Sequence, residues 1–297
     1  MSDYVLSCES TVDLTKEQLE NRNISYICYP YEVDGVVYQD DFGESVSYQK
    51  FYQAMADGAE TKTAQINSYE FETYFESFLE AGLDVVHLCL SSGITGIMNS
   101  AVSAKKVLEE RYPDRKIYLI DSLAASSGFG LLVDTLADLR DEGTSAEDLV
   151  QWAEENKLRV HHWFFSEDLK YYIRGGRISK TAGMVGTMLG ICPLLNMDEA
   201  GRLIPKEKIR SKKKVIPAIV DKMAQFADNR ERYSGNCYIS YSGNSDSAMQ
   251  VAQLVQERFP NLREMKMYHI GTIIGSHSGP GTVALFFWGD TRHIHSN

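Results

Sequence analysis

The sequence predicts an α/β protein in two parts: a parallel sheet sandwiched by helices (Rossmann-like), then an α/β unit built on a mixed sheet of about six strands. Three observations carry that expectation. In the first half, short β-branched or aromatic runs alternate with helical patterns, which argues for parallel strands joined by helices. From about residue 161 strand-like runs crowd together, some joined by tight turns, and a hairpin cannot belong to an all-parallel sheet. The chain of 297 residues suits two domains of about 150 residues each better than one. A boundary near 160 gives a parallel unit over 1–160 and a mixed-sheet unit over 161–297, although no Pro/Gly/Ser-rich linker marks it.

In chain order, the first strands are YVLSC (4–8), ISYICYP (24–30), DVVHLCL (84–90) and KIYLI (116–120). Helices fall between them by period and by their caps. Thr15 opens TKEQLE, Ser47 opens SYQKFYQAMADG with Gly58 as its stop, and Ser68 opens SYEFETYFESFLEAG, closed by Gly82. MNSAVSAKKVLEERYP ends at Pro113, LLVDTLADLRDEG ends at Gly143, and Ser145 caps SAEDLVQWAEEN. The second half offers VHHWFFS, CPLLNMD, GRLIPKEK, NCYISYS, REMKMYHI and TVALFFWG as strands, with Asp198-Glu199-Ala200-Gly201 as a tight turn. Helices are expected on one side of that second sheet.

Composition narrows the function. Apolar content is ordinary and seventeen tyrosines are available to a core. A net charge of −11 repels a phosphate backbone, which excludes general nucleic-acid binding. The one dense basic run, Lys212 to Lys214 near Lys206, Lys208 and Arg210, reads as a solvated helix start or a local anion or partner contact. Five cysteines without a CxxC pair fit a reducing cytosol. The first residues carry no secretory pattern, and the weakly polar run TAGMVGTMLGICPLL is too short and too broken by glycine and proline to span a bilayer. A cytoplasmic protein without an integral membrane segment is expected, transient membrane contact remaining open.

Four loops carry candidate chemistry. SSGITG (91–96) follows a strand and precedes a helix, where unpaired N–H groups and the helix dipole favour an anion. Ser91, Ser92 and Thr95 add hydroxyls while Gly93 and Gly96 allow close approach to the backbone; a serine cap is the plainer alternative. ETKTAQINS gathers Thr61, Thr63, Gln65, Asn67 and Ser68, and alone reads as a polar loop. GTIIGSHSGPG encloses His277 among glycines just before an apolar strand; because the run leads into a strand and holds histidine at its centre, it is not a nucleophile elbow. In LKYYIRGGRISKTAGMVGTMLGICPLL, Arg174 and Arg177 flank Gly175-Gly176, and Ala182, Gly183, Gly186 and Gly190 give a smooth helix surface for close packing or a channel wall. Dinucleotide and P-loop motifs are absent. His161 and His162 point to opposite faces of a strand, and neither they nor the HIH at 293–295 has metal-ligand spacing.

Taken in order, ESTVDL (9–14), KTAQ (62–65), LSSGITGIMNSA (90–101), IDSLAASSG (120–128), RGGRIS (174–179), KIRSKKK (208–214) and HSGPG (277–281) resemble the DegV family of fatty-acid-binding proteins over nearly the whole chain. The resemblance implies a DegV-like fold with a long-chain fatty acid between the two domains. Its carboxylate would be held by Thr63, Ser92 and His277, with backbone N–H groups of the Gly93 loop; Ser91, Thr95, Arg177 and Arg210 would support it or face a partner. It implies no cofactor, and it implies that the protein is not itself a catalyst but the substrate-carrying subunit of a separate ATP-dependent fatty-acid kinase that makes acyl phosphate, a step toward phospholipid synthesis. Glu9, Ala64 and Ile97 depart from the family pattern, the last two removing hydroxyls. At about 0.8 kcal/mol per buried methylene, a tail of fourteen to eighteen carbons contributes about 10 kcal/mol before ordering costs, so the slot for the tail dominates affinity. The alternatives are an acyl hydrolase or other enzyme with Ser92 as nucleophile and His277 as base, or a lipid-sensing regulator.

Overall fold

The computed structural model describes residues 3–179 and 191–292. The smooth-surfaced run with Ala182, Gly183, Gly186 and Gly190 lies outside the described residues, as does the HIH tail. Strands β1 (Tyr4–Glu9), β2 (Ile24–Ile27), β6 (Asp84–Cys89) and β7 (Ile117–Asp121) form a parallel sheet in the order β2-β1-β6-β7. Strands β8 (Val160–Ser166), β9 (Ile191–Met197), β10 (Leu203–Arg210), β11 (Asn236–Tyr241), β12 (Glu264–His269) and β13 (Thr282–Trp288) form a second sheet in the order β10-β9-β8-β13-β11-β12. Only β11 and β12 pair parallel there, so that sheet is mixed, as its crowded strands and tight turns predict.

A third sheet was not legible as such. ISYICYP is two strands rather than one: after β2 the chain leaves the parallel sheet and β3 (Pro30–Val33) pairs antiparallel with β4 (Val36–Gln39) and β5 (Thr61–Thr63). The turn between β3 and β4 is Asp34-Gly35, with φ of 48° and 86°, the conformation a two-residue hairpin demands and glycine supplies without strain. The hydroxyl-rich segment expected to be a polar loop therefore begins as an edge strand.

The helices are α1 (Lys16–Asn21), α2 (Tyr48–Ala56), α3 (Ser68–Glu80), α4 (Ile97–Arg111), α5 (Ser126–Asp141), α6 (Ala146–Asn156), α7 (Lys170–Arg174), α8 (Lys212–Phe226), α9 (Asp246–Arg258) and α10 (Thr272–Ser278). Thr15, Ser47 and Ser145 cap as expected, but Asn67, not Ser68, caps α3, because Asn67 and Glu70 close a reciprocal capping box. Helix α5 starts five residues earlier than the LLVDTLADLR periodicity suggests, and its small first turn, Ser126-Ser127-Gly128, is buried.

That early start corrects the placement of helices on one side of the second sheet. Phe164, Leu195, Tyr238, Ala284 and Phe286 pack into one core with Phe129, Leu132 and Leu136 of α5. The alternate residues Trp163, Phe165, Leu194, Leu285 and Phe287 pack into another with Val215, Ile219, Val251 and Val255 of α8 and α9. Both faces are thus covered, one by a helix from the first half of the chain. A helix buried nearly all round needs apolar or very small residues on every side, and at Gly128 a β-carbon would lie 2.3 Å from His162 Nε2.

Candidate functional site

Between the α5-facing side of the second sheet, β5 and α10 lies a cavity of about 470 Å³. Most of its wall is apolar: Leu90, Phe164, Met197, Ile273, Ala284 and Phe286 all border it. A polar group of the lining gathers Glu60, Lys62, Thr63, Gln65, Thr95, Arg174, Arg177 and His277, and Ser126, His162, Tyr172, Ser278 and Thr282 add single polar groups elsewhere on the wall.

Two elements far apart in sequence meet in that polar group. β5 presents Thr63 opposite Tyr31, and α10 carries His277 in its last turn. Thr63 Oγ1 and His277 Nε2 are 2.8 Å apart. His277 is therefore a helical residue, not one of a free glycine loop; the glycines with positive φ, Gly279 and Gly281, follow it and turn the chain into β13. On its other side the ring lies against Gly175, where a β-carbon would come within 2.4 Å of Nδ1, so the glycine of the RGGR run is what admits the imidazole. Burial, with the positive charges of Arg177 and Arg174 added, pulls His277 down to about 4, so the ring is neutral near pH 7.

The SSGITG loop serves another purpose than the sequence suggests. Ser91 is buried, donates from Oγ to Gly201 O at 2.9 Å and accepts the Gly93 N–H at 3.1 Å. A β-carbon at Gly93 would lie 2.3 Å from Ala200 O. Ser91 and Gly93 therefore seat the loop on the β9–β10 turn. Ser92 is exposed and outside the cavity lining, and its N–H donates to Asp121 Oδ1 at 3.1 Å, so an internal carboxylate already takes the amide expected to cradle a ligand. The turn that bonds Ile94 and Thr95 N–H to Ser91 O brings Thr95 to the cavity instead, its Oγ1 accepting from Gln65 Nε2 at 3.2 Å. Arg177 borders the cavity and donates to Gly175 O at 2.6 Å; Arg210 is exposed on β10, away from the lining. Of the expected carboxylate residues the structure thus joins Thr63 and His277 and leaves Ser92 and Gly93 aside. Ile97 is fully buried at the start of α4, so a hydroxyl lost there is lost from the core and not from the cavity, whereas Ala64 borders the cavity.

Also on the cavity wall, His162 Nδ1 faces Val160 O at 3.0 Å and must donate to it, so Nε2 accepts the Ala125 N–H at 3.3 Å. Burial holds this ring well below its ordinary range, and it is a neutral wall residue. His277 spends Nε2 on Thr63, and among the described residues no bond joins it to Ser92, which is what a serine-hydrolase arrangement requires. Gln65 also borders the cavity, outside the set of carboxylate residues that the resemblance implies, and the polar density of ETKTAQ is its signal in the sequence.

Fold and site together define an α/β protein with a mostly apolar cavity bordered on part of its wall by hydrogen-bonding and charged groups, the form that suits an amphipathic guest. Residues 6–290 match the model of the DegV family, described as uncharacterised proteins. The chain belongs to that family. A DegV domain-containing protein of Clostridium perfringens is 32% identical over 98% of this chain and 99% of its own length. A DegV family protein of Thermus thermophilus, whose structure is described as showing fatty-acid binding, superposes with a TM-score of 0.86 at 26% identity, covering 97% of this chain and 99% of that one. The fold is shared too with the Streptococcus pneumoniae fatty acid kinase (Fak) B3 protein loaded with linoleic acid, at a TM-score of 0.83 and 23% identity, covering 98% of this chain and all of that one. No described helix is long and apolar enough to cross a membrane.

Proposed function

We propose that this protein binds one long-chain fatty acid in the cavity, tail against the second sheet and α10, carboxylate at Thr63 and His277, and offers that carboxylate to a separate ATP-dependent kinase for acyl phosphate formation. The observation that carries the reading is the Thr63–His277 pair at 2.8 Å, placed beside Arg174 and Arg177 on the wall of a mostly apolar cavity. A carboxylate buried in such a place needs several donors or it takes up a proton. Thr63 Oγ1, the neutral His277 ring and Thr95 Oγ1 can supply hydrogen bonds, and Arg174 and Arg177 supply charge. Thr95 takes the place the resemblance gave to Ser92, because it is the loop hydroxyl that borders the cavity.

In this reading the chain performs no chemistry itself; it shields the tail, fixes the carboxyl end and works with a partner. The partner's kinase activity is supported by the likeness to the Fak B3 protein, and a site between a 1–160 and a 161–297 part is supported by a lining that draws residues from both ranges. The test is lipid extraction from purified protein followed by mass spectrometry. Long-chain fatty acid near one per chain is expected, and delipidated protein that takes up none would refute the reading. Acyl phosphate made from ATP by a kinase only when this protein is present checks the second half.

A further inference from the structure

We propose that Glu9, His87 and Cys89 form a binding site for one divalent transition-metal ion of the zinc class, embedded in the first sheet behind the cavity wall. The topology puts the three together. β1 and β6 run parallel in the register Ser7↔His87, so two residues further on Glu9 and Cys89 are neighbours. In a strand with a period of two, Ser7, Glu9, His87 and Cys89 then project on one face of the sheet. Glu9, His87 and Cys89 are fully buried, and one ligand atom from each lies within 4.8 Å of the others.

Two of those atoms have no other hydrogen-bond partner among the described residues: Glu9 Oε1 and His87 Nε2, which face each other at 3.9 Å. The remaining atoms are already committed. His87 Nδ1 is 2.9 Å from Ser7 Oγ, itself 2.7 Å from Tyr74 Oη. Glu9 Oε2 accepts from Tyr29 Oη at 2.9 Å and Leu90 N–H at 3.1 Å. With Nδ1 donating to Ser7 Oγ, one of the two tautomers that contact allows, Nε2 turns a lone pair toward the Glu9 carboxylate oxygen, and a cation held between the two satisfies both. Outer partners that fix ligand orientation are what metal-binding histidines and carboxylates characteristically have. Phe71 and Phe75 pack edge-on against the His87 ring with centroids 5.4 and 5.1 Å away, which keeps the site dry and the ring fixed.

The donor set selects the ion. One nitrogen, one oxygen and one sulfur suit zinc, whereas calcium and magnesium require oxygen alone. Tetrahedral zinc places its ligands roughly 3.3 to 3.8 Å apart, so a contraction of about an ångström, by rotation of Glu9 and Cys89, closes the site and leaves a fourth position.

The test uses the full chain, stripped with a chelator and titrated with Zn2+ and separately with Co2+. One equivalent per chain is expected, with a thiolate-to-cobalt charge-transfer band and a melting temperature that rises with added Zn2+. Cys89→Ser should abolish the band, and His87→Gln should weaken binding at least tenfold. Because both positions are buried and a variant can fail to fold, anomalous scattering at the zinc edge from wild-type crystals is the second measurement, expected to place the ion among the three side chains. No stoichiometric uptake by wild type, cobalt binding without the thiolate band, or anomalous signal elsewhere overturns the proposal.

Discussion

Replacing Thr63 by valine keeps the shape of a β5 side chain and deletes the hydroxyl that meets His277 Nε2 at 2.8 Å. With ligand bound, a charged carboxylate loses one donor. Hydrogen bonds to charged groups contribute about 1.5–3 kcal/mol, so affinity should fall about 10- to 150-fold. His277→Gln should fall in the same range. The double variant should weaken binding by less than the product of the two, since the residues share one hydrogen bond. The assay is calorimetric titration of delipidated protein with a fatty acid and with its methyl ester: the ester lacks the charge, so its affinity should change much less. Thr95→Val should weaken acid binding, while Ser92→Ala, exposed and outside the cavity, should stay within twofold. Unchanged affinity for the acid in Thr63→Val and His277→Gln, or equal losses for acid and ester, would refute the assignment.

Ala284, small and on the cavity wall, offers a test of the tail: leucine adds three carbons there and should displace about three methylenes, at about 0.8 kcal/mol each a loss near 50-fold for the longest acids, with melting little changed and shorter acids less affected. Gly93→Ala drives a β-carbon toward Ala200 O, 2.3 Å away, and should lower stability by about 1–3 kcal/mol in urea unfolding. His277 takes its proton at about 4 when folded but near 6.5 when unfolded. Between those values the unfolded chain binds more protons, so stability rises with pH across the window and is lost as pH falls through it, by up to about 3 kcal/mol. His277→Gln should flatten that part of the urea-denaturation profile.

The sheets show how far sequence carries. Alternation of apolar runs with capped helices is a local signal, and it located the four parallel strands and all six of the second sheet. The third sheet escaped because β4 has largely exposed residues and β5 is three residues of threonine and lysine, so neither carries an apolar run; only Asp34-Gly35 announced the hairpin. At the site, residue types were legible but directions were not. Ser91, Ser92 and Thr95 look alike as hydroxyls in one loop, yet one is buried under Gly201, one faces solvent and one borders the cavity. The turn geometry that separates them depends on the β9–β10 turn more than a hundred residues away in sequence, a contact no local pattern contains. The same holds for Gly175, whose role is visible only once His277 lies on it.

The most direct measurement is a crystal structure of the protein as purified. An acyl chain filling the cavity, with its carboxylate within hydrogen-bond reach of Thr63 Oγ1 and His277 Nε2, is the result expected. A cavity holding only water after exposure to fatty acid, or a chain bound with its carboxylate at the Phe164–Phe286 end, would contradict the account.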